Sequence, residues 1–174
     1  MNFKLGKGVL SLNHYVIRPI TVQDVPFLWE MLFESLYVPK GQEPFHKDVI
    51  KEPFLTKYVE DWGREGDRGY IAVNSEGQSI GSITIRHFDE DNKGFGYISK
   101  DIPELGMALR PEYRGKGIGT ALLTMLFKEM KEKGIKRASL SVDPNNLAAV
   151  NLYQRFGFKE VGMVDTSLTM VADL

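Results

Sequence analysis

The segment Glu104-Leu105-Gly106-Met107-Ala108-Leu109-Arg110-Pro111-Glu112-Tyr113-Arg114-Gly115-Lys116-Gly117-Ile118-Gly119-Thr120 restricts the fold of this chain more than any other. Its first part, Glu104 to Leu109, reads as a strand. Three alternate glycines, Gly115, Gly117 and Gly119, then open a helix. Ile118, Leu122, Met125, Leu126 and Met130 recur at helical spacing, and Gly134 suits the C-cap. Backbone amides at a helix start lack intrahelical partners and, with the helix dipole, make an anion site. Glycines there let phosphate oxygens approach the backbone, and Arg114 and Lys116 add positive charge. The plain alternative is a tight turn with a glycine-assisted helix start. Two phosphate patterns fail. The Gly-x-x-x-x-Gly-Lys-Ser/Thr loop is absent, and the third glycine comes one residue early for Gly-x-Gly-x-x-Gly.

Around this junction the hydrophobic pattern predicts further strands at Tyr15 to Ile20, Tyr70 to Val73, Ile80 to Phe88, Arg137 to Val142, Phe158 to Val164 and Leu168 to Val171. Phe95 to Ile98 reads as a short extended piece. Helices are expected after Thr21 or Asp24, with Leu28, Leu32 and Leu36 on one face, then at His46 to Glu52, Phe54 to Trp62 and Leu147 to Phe156. That order is mixed α/β, a twisted and mostly antiparallel sheet of about six or seven strands, with one or two parallel neighbours and about four flanking helices.

Composition narrows the function classes. The 174 residues are ordinary for a single domain spanning 1–174. Absence of Cys removes disulfides, Cys-ligated zinc, iron–sulfur clusters and a Cys nucleophile. The 22 Lys+Arg against 23 Asp+Glu argue against bulk nucleic-acid or anionic-membrane binding. Apolar runs such as Ile118 to Phe127 are too short to span a bilayer, and Met1 to Lys7 holds no signal-like apolar stretch. The expectation is a cytoplasmic protein. No His/carboxylate spacing suggests a metal.

Arg114-x-x-Gly117-x-Gly119 resembles the pyrophosphate loop of the GNAT acetyltransferases (general-control-related N-acetyltransferases), and Leu109 to Tyr113 resembles their approach to it. Asn146, Ala149, Leu152, Tyr153, Gly157 and Phe158 match a second family motif, Asn-x-x-Ala-x-x-Leu-Tyr-x-x-x-Gly-Phe, at every defined position. Together the motifs cover Glu104 to about Val164. The first third of the chain fits only in outline.

The resemblance implies a sheet splayed where the coenzyme lies, and direct acetyl transfer from acetyl-CoA, the co-substrate, to a primary amine of a small molecule or peptide. The backbone of Met107, Ala108 and Leu109 would pair with pantetheine. Amides of Gly115, Lys116, Gly117, Ile118, Gly119 and Thr120 would hold the pyrophosphate, and Asn146 would bond near the pantetheine or thioester. By position in the second motif, Tyr153 is the candidate acid toward the leaving sulfur; its plainer reading is a core aromatic. Glu104 is the candidate base, set against a solvated strand-end carboxylate. Relatives that acetylate ribosomal-protein termini carry a Glu on the next strand, where this chain has Ser141, which lowers the case for a protein terminus. A base is needed because a lysine-like amine of pKa about 10.4 is nucleophilic in only roughly one molecule in two to three thousand at pH 7, a deficit of ~4.6 kcal/mol. The rival reading is a non-catalytic acyl-CoA-binding or sensing module.

Other features have milder readings. His14, His46 and His87 share no ligand spacing. Lys128 to Lys133 is a solvated, charge-paired helix face. Among Trp29, Phe33, Tyr37, Phe45, Phe54, Tyr58 and Trp62 most are expected in the core, with one or two lining an acceptor pocket. Asp89, Glu90, Asp91 and Asp101 read as a soluble turn or as an attractor of a cationic amine. Ser167 to Val171 is expected to offer a sheet edge to a second subunit, which leaves room for a homodimer.

Overall fold

The computed structural model of the chain describes residues 14–174, so the Met1 to Lys7 stretch lies outside the described residues. Seven strands form one open sheet in the order β1-β2-β3-β4-β5-β7-β6. They are β1 Tyr15–Pro19, β2 Arg68–Asn74, β3 Ser79–Arg86, β4 Glu104–Leu109, β5 Arg137–Val142, β6 Lys159–Val164 and β7 Ser167–Asp173. The helices are α1 Val25–Glu34, α2 Pro53–Thr56, α3 Ile118–Glu132 and α4 Leu147–Arg155.

Strand alternation sorts side chains between two layers. On β2, Ile71 and Val73 join Leu28 and Leu32 of α1 and Leu55 and Val59 of the α2 region, while Ala72 faces the other core. That second core is built on α3, whose Leu122, Leu123, Leu126 and Met130 are fully buried against Ile83, Ile85, Leu105 and Leu140. The same parity leaves Ser82, Thr84 and Arg86 of β3 and Glu104 of β4 facing the α1–α2 layer. A charged residue at the head of an apolar strand is thereby aimed at the layer the sequence describes least.

All neighbours are antiparallel except β4 and β5, which run parallel and meet only at Glu104↔Ser139. Beyond that point Leu105 to Leu109 have no ladder partner on the β5 side, so the sheet splays open toward the carboxyl ends of both strands.

Four expectations change. The helix expected over His46 to Glu52 is a short 3-10 segment, Lys47–Lys51. Phe95 to Ile98 is a turn: Tyr97 N donates to Gly94 O (3.2 Å), and the Gly96 amide donates to Glu104 Oε1 (3.0 Å) rather than to a ladder. The helix expected over Phe54 to Trp62 ends at Thr56, because the carbonyls of Lys57 and Glu60 accept from Arg86 Nη1 at 2.8 and 2.7 Å. Asp61 then takes a left-handed φ of 54°. Ser167 to Val171 is no edge, since the β6–β7 hairpin folds β7 back between β6 and β5, leaving β1 and β6 outermost. No helix among the described residues is long and apolar enough to cross a membrane.

Candidate active site

The glycine turn feeds α3 as the spacing predicts. Gly117 is the N-cap with φ 85°, a left-handed backbone that a side chain would strain, and no side chain caps the first amides of α3. Those donors face the splayed cleft, which Gly115, Gly117, Gly119 and Thr120 line together with Met107 to Leu109. Arg114 is tied to the end of α1: its Nη2 donates to Glu34 Oε2 and to Glu34 O, each at 3.2 Å. Lys116 lies with Nζ 5.6 Å from the Tyr113 ring centre. Arg110 holds Glu30 at 2.8 Å, a second tie between the loop approach and α1.

The cleft has a volume of about 960 Å³ and runs from this loop, past the splay point, to the segment before β2. Glu104 lies at the splay point and is 5% exposed. Its Oε1 accepts from Tyr58 Oη (2.8 Å) and Gly96 N (3.0 Å), while its buried Oε2 has no partner. Tyr58 Oη in turn accepts from Phe95 N at 2.7 Å. Gly94 presses on the same carboxylate so closely that a Cβ there would lie 1.9 Å from Oε2. Burial pushes the Glu104 carboxyl up to about 7, against the opposing pull of the Tyr58 and Gly96 hydrogen bonds. Burial and the Glu104 charge push the Tyr58 hydroxyl well above its ordinary value. Across the strand pair, Ser139 Oγ is also buried without a partner.

Tyr153 on α4 is 6% exposed and packs edge-on against Phe158, with ring centres 5.7 Å apart. Burial alone pushes its hydroxyl up to about 12, and the residue lines the cleft beside Leu152. Asn146 also lines the cleft, but its side-chain oxygen caps α4 by accepting from Ala149 N at 3.3 Å. The structure thus brings Arg114, Gly115, Gly117, Gly119, Thr120, Met107 to Leu109, Glu104, Asn146 and Tyr153 to one cleft, whereas Lys116 does not line it and the Ile118 side chain is buried in the α3 core.

Tyr58, Gly94, Gly96 and Arg86 are the partners that sequence reasoning missed. Arg86 makes a buried two-bond pair with Asp67 (3.0 and 2.8 Å), stacks over Trp62 at 5.3 Å, and so clamps the segment carrying Tyr58 onto the sheet. An arginine on the inward face of an apolar strand, and glycines bracketing Phe95, are the signals that mark these contacts. Of the aromatic residues, Trp29 and Trp62 pack with the α1–α2 core, while five, Phe33, Tyr37, Phe45, Phe54 and Tyr58, line the cleft, against the one or two expected from the sequence. Tyr37 also donates to Asn145 O at 3.2 Å, joining the α1 side to the α4 cap.

The acidic turn is satisfied locally, with Asp89 capping the amides of Asp91 and Asn92 and Glu90 paired to Lys93, and none of its four acids lines the cleft. His46 caps Asp48 N and His87 bonds Lys100 O. No group of three or more His, Asp or Glu among the described residues is placed to hold a metal ion.

The profile of the Acetyltransferase (GNAT) family matches residues 27–158. An uncharacterized N-acetyltransferase of Methanocaldococcus jannaschii is 28% identical over 163 residues, covering 92% of this chain and 67% of the relative. A spermine/spermidine N(1)-acetyltransferase of Bacillus subtilis is 39% identical over 99 residues, 55% of this chain and 62% of that one. The crystal structure of the PaiA N-acetyltransferase of Thermoplasma acidophilum, in complex with coenzyme A, superposes with a TM-score of 0.66 at 25% identity, covering 92% of this chain and 99% of that one.

Proposed function

The chain belongs to the GNAT acetyltransferase family, and we propose that it moves an acetyl group from acetyl-CoA directly to a primary amine, with Glu104 as the base. The observation that carries this is the Glu104 carboxylate, buried at the splay point with Oε1 doubly hydrogen-bonded and Oε2 free. A solvated strand-end carboxylate has neither property.

The uncapped amides at the head of α3 suit the coenzyme's pyrophosphate, since they offer several donors and the positive end of the helix dipole. The backbone of Met107 to Leu109, paired with β3 but open on the β5 side, suits pantetheine, which would lie along that open side of β4. Asn146 shapes that channel chiefly by capping α4. The amine nitrogen attacks the thioester carbonyl carbon, the carbon–sulfur bond breaks, and the nitrogen's proton passes through water to the Glu104 carboxylate. Burial raises this carboxyl from 4.5 to about 7, which brings it closer to the amine and reduces the proton-transfer deficit by about 3 kcal/mol.

Tyr153 serves the leaving sulfur as a hydrogen-bond donor. With its hydroxyl at about 12, full transfer to a thiolate of pKa about 8.5 is uphill by roughly 5 kcal/mol, so the final proton comes from solvent. Tyr58 and Gly96 position Glu104, occupying one oxygen and leaving the other to take up the proton.

The test is release of free CoA from acetyl-CoA across a panel of amines, with calorimetric acetyl-CoA binding as control. Acceptor-dependent release that Glu104→Gln abolishes, with binding retained, is expected. Binding without release on any acceptor would overturn the transferase reading in favour of an acyl-CoA-binding module.

A further inference from the structure

Charge is scarce in the acceptor end of the cleft. Among the described lining residues the carboxylates are Glu34, Glu104 and Asp143. Glu34 is held by Arg114 at 3.2 Å, and Asp143 caps Asn145 N at 2.8 Å in the loop between β5 and α4. Of the three, Glu104 alone has a carboxylate oxygen that is buried without a partner, while Glu34 and Asp143 each bond through one oxygen at the α1 end and in the β5–α4 loop. Residues 1–13 contain no Asp or Glu, so they have no carboxylate to add.

The wall near Glu104 is aromatic. Phe95 and Phe54 meet edge to face at 6.1 Å, and Phe95 N is bonded to the same Tyr58 hydroxyl that holds Glu104. Phe45 and Phe54 remain 48% and 47% exposed, apolar surface that an apolar substituent would cover.

From this juxtaposition we infer that the acceptor is a primary monoamine with an apolar arylalkyl substituent. Its amine faces Glu104 at the splay point, linked to the buried Oε2 through water, and its ring lies against Phe45, Phe54 and Phe95. The inference rests on the acetyltransferase reading above and adds to it a discrimination against a second cation. A diamine of equal reach places its far ammonium among phenylalanine rings, where water is displaced and no cleft-lining carboxylate replaces it. This chain thus departs from the polyamine specificity in the name of its Bacillus subtilis relative.

The experiment compares kcat/KM, by CoA release, for 2-phenylethylamine, hexylamine, 1,6-diaminohexane and spermidine, with a short peptide of polar N-terminus as a further acceptor. Hexylamine and 1,6-diaminohexane differ only in a terminal ammonium, so their ratio reads the discrimination without any variant. Each monoamine is expected to exceed the diamine and spermidine at least tenfold. Phe54→Ala, at a half-exposed position, is expected to lower kcat/KM for 2-phenylethylamine several-fold and to narrow its advantage over 1,6-diaminohexane. Equal or better turnover of the diamine, spermidine or the peptide overturns this inference while leaving the transferase reading standing. Absence of release with every amine overturns both.

Discussion

Glu104→Gln should stabilise the protein at alkaline pH and leave its stability unchanged in acid. The folded carboxyl has a pKa of about 7, raised from 4.5 chiefly by burial. Between those values the folded state binds more protons than the unfolded chain, so wild-type stability falls as pH rises through this window. Below pH 4.5 both states are protonated and the group contributes nothing. Above pH 7 the buried carboxylate is charged in the folded state at a cost of about 3 kcal/mol, the free-energy equivalent of the rise from 4.5 to about 7. Gln retains an oxygen for Tyr58 and Gly96 and carries no charge. The difference between variant and wild type should therefore rise from near zero at pH 4.5 to about 3 kcal/mol by pH 8. For a chain of this size that is a Tm gain of about 6–12 °C. Urea denaturation of both proteins at intervals across this range measures it, and the other titrating groups cancel in the difference. A gap that does not change with pH would refute burial of an ionisable Glu104.

Tyr153→Phe should lower kcat about ten- to a hundredfold, the value of one hydrogen bond to a charged group, with a smaller change in KM for acetyl-CoA. Unchanged turnover would remove the hydroxyl from the reaction. Tyr58→Phe deletes a donor to Glu104 Oε1, so the carboxyl should rise above 7 and the limb of kcat/KM that reports it should move up by about one pH unit. An unmoved limb would show that this bond does not set the base. Asp67→Asn leaves the Arg86 guanidinium buried without its counter-charge and should cost about 3–5 kcal/mol in urea denaturation. A loss below 1 kcal/mol would refute the clamp.

The parts of the fold that follow from local periodicity were legible in the sequence. Strand β4, the glycine turn and α3 follow from apolar spacing and from glycines where φ is positive, as at Gly117. The second motif placed Tyr153 and Asn146 at the same cleft. What stayed hidden depends on contacts between residues distant in the chain. Tyr58 meets Glu104 across 46 positions, and nothing near Tyr58 announces a carboxylate. The region after Thr56 has helical periodicity, yet Arg86 competes for its carbonyls, so the local signal loses to a tertiary contact. Ser167 to Val171 looks like any terminal strand, and its interior position follows only from how the β6–β7 hairpin folds back.

Acceptor choice and base strength are coupled by construction. Tyr58 Oη accepts from Phe95 N and donates to Glu104 Oε1, so one hydroxyl joins the aromatic wall to the base. Gly94 and Gly96, on either side of Phe95, both contact the carboxylate or its strand neighbour: a Cβ on Gly94 would strike Oε2, and one on Gly96 would lie 2.6 Å from the Leu140 backbone. The turn therefore has little room to shift without moving the carboxylate. A substitution that reshapes the wall for another amine then changes the hydrogen bonds or burial that set the Glu104 pKa. The segment carrying Tyr58 is in turn held by Arg86 and Asp67 rather than by helix periodicity. A change of acceptor through this wall thus has to preserve the carboxylate's surroundings, whereas changes at the outer rings of Phe45 and Phe54, half-exposed and away from the Oε1 bonds, are free of that restriction.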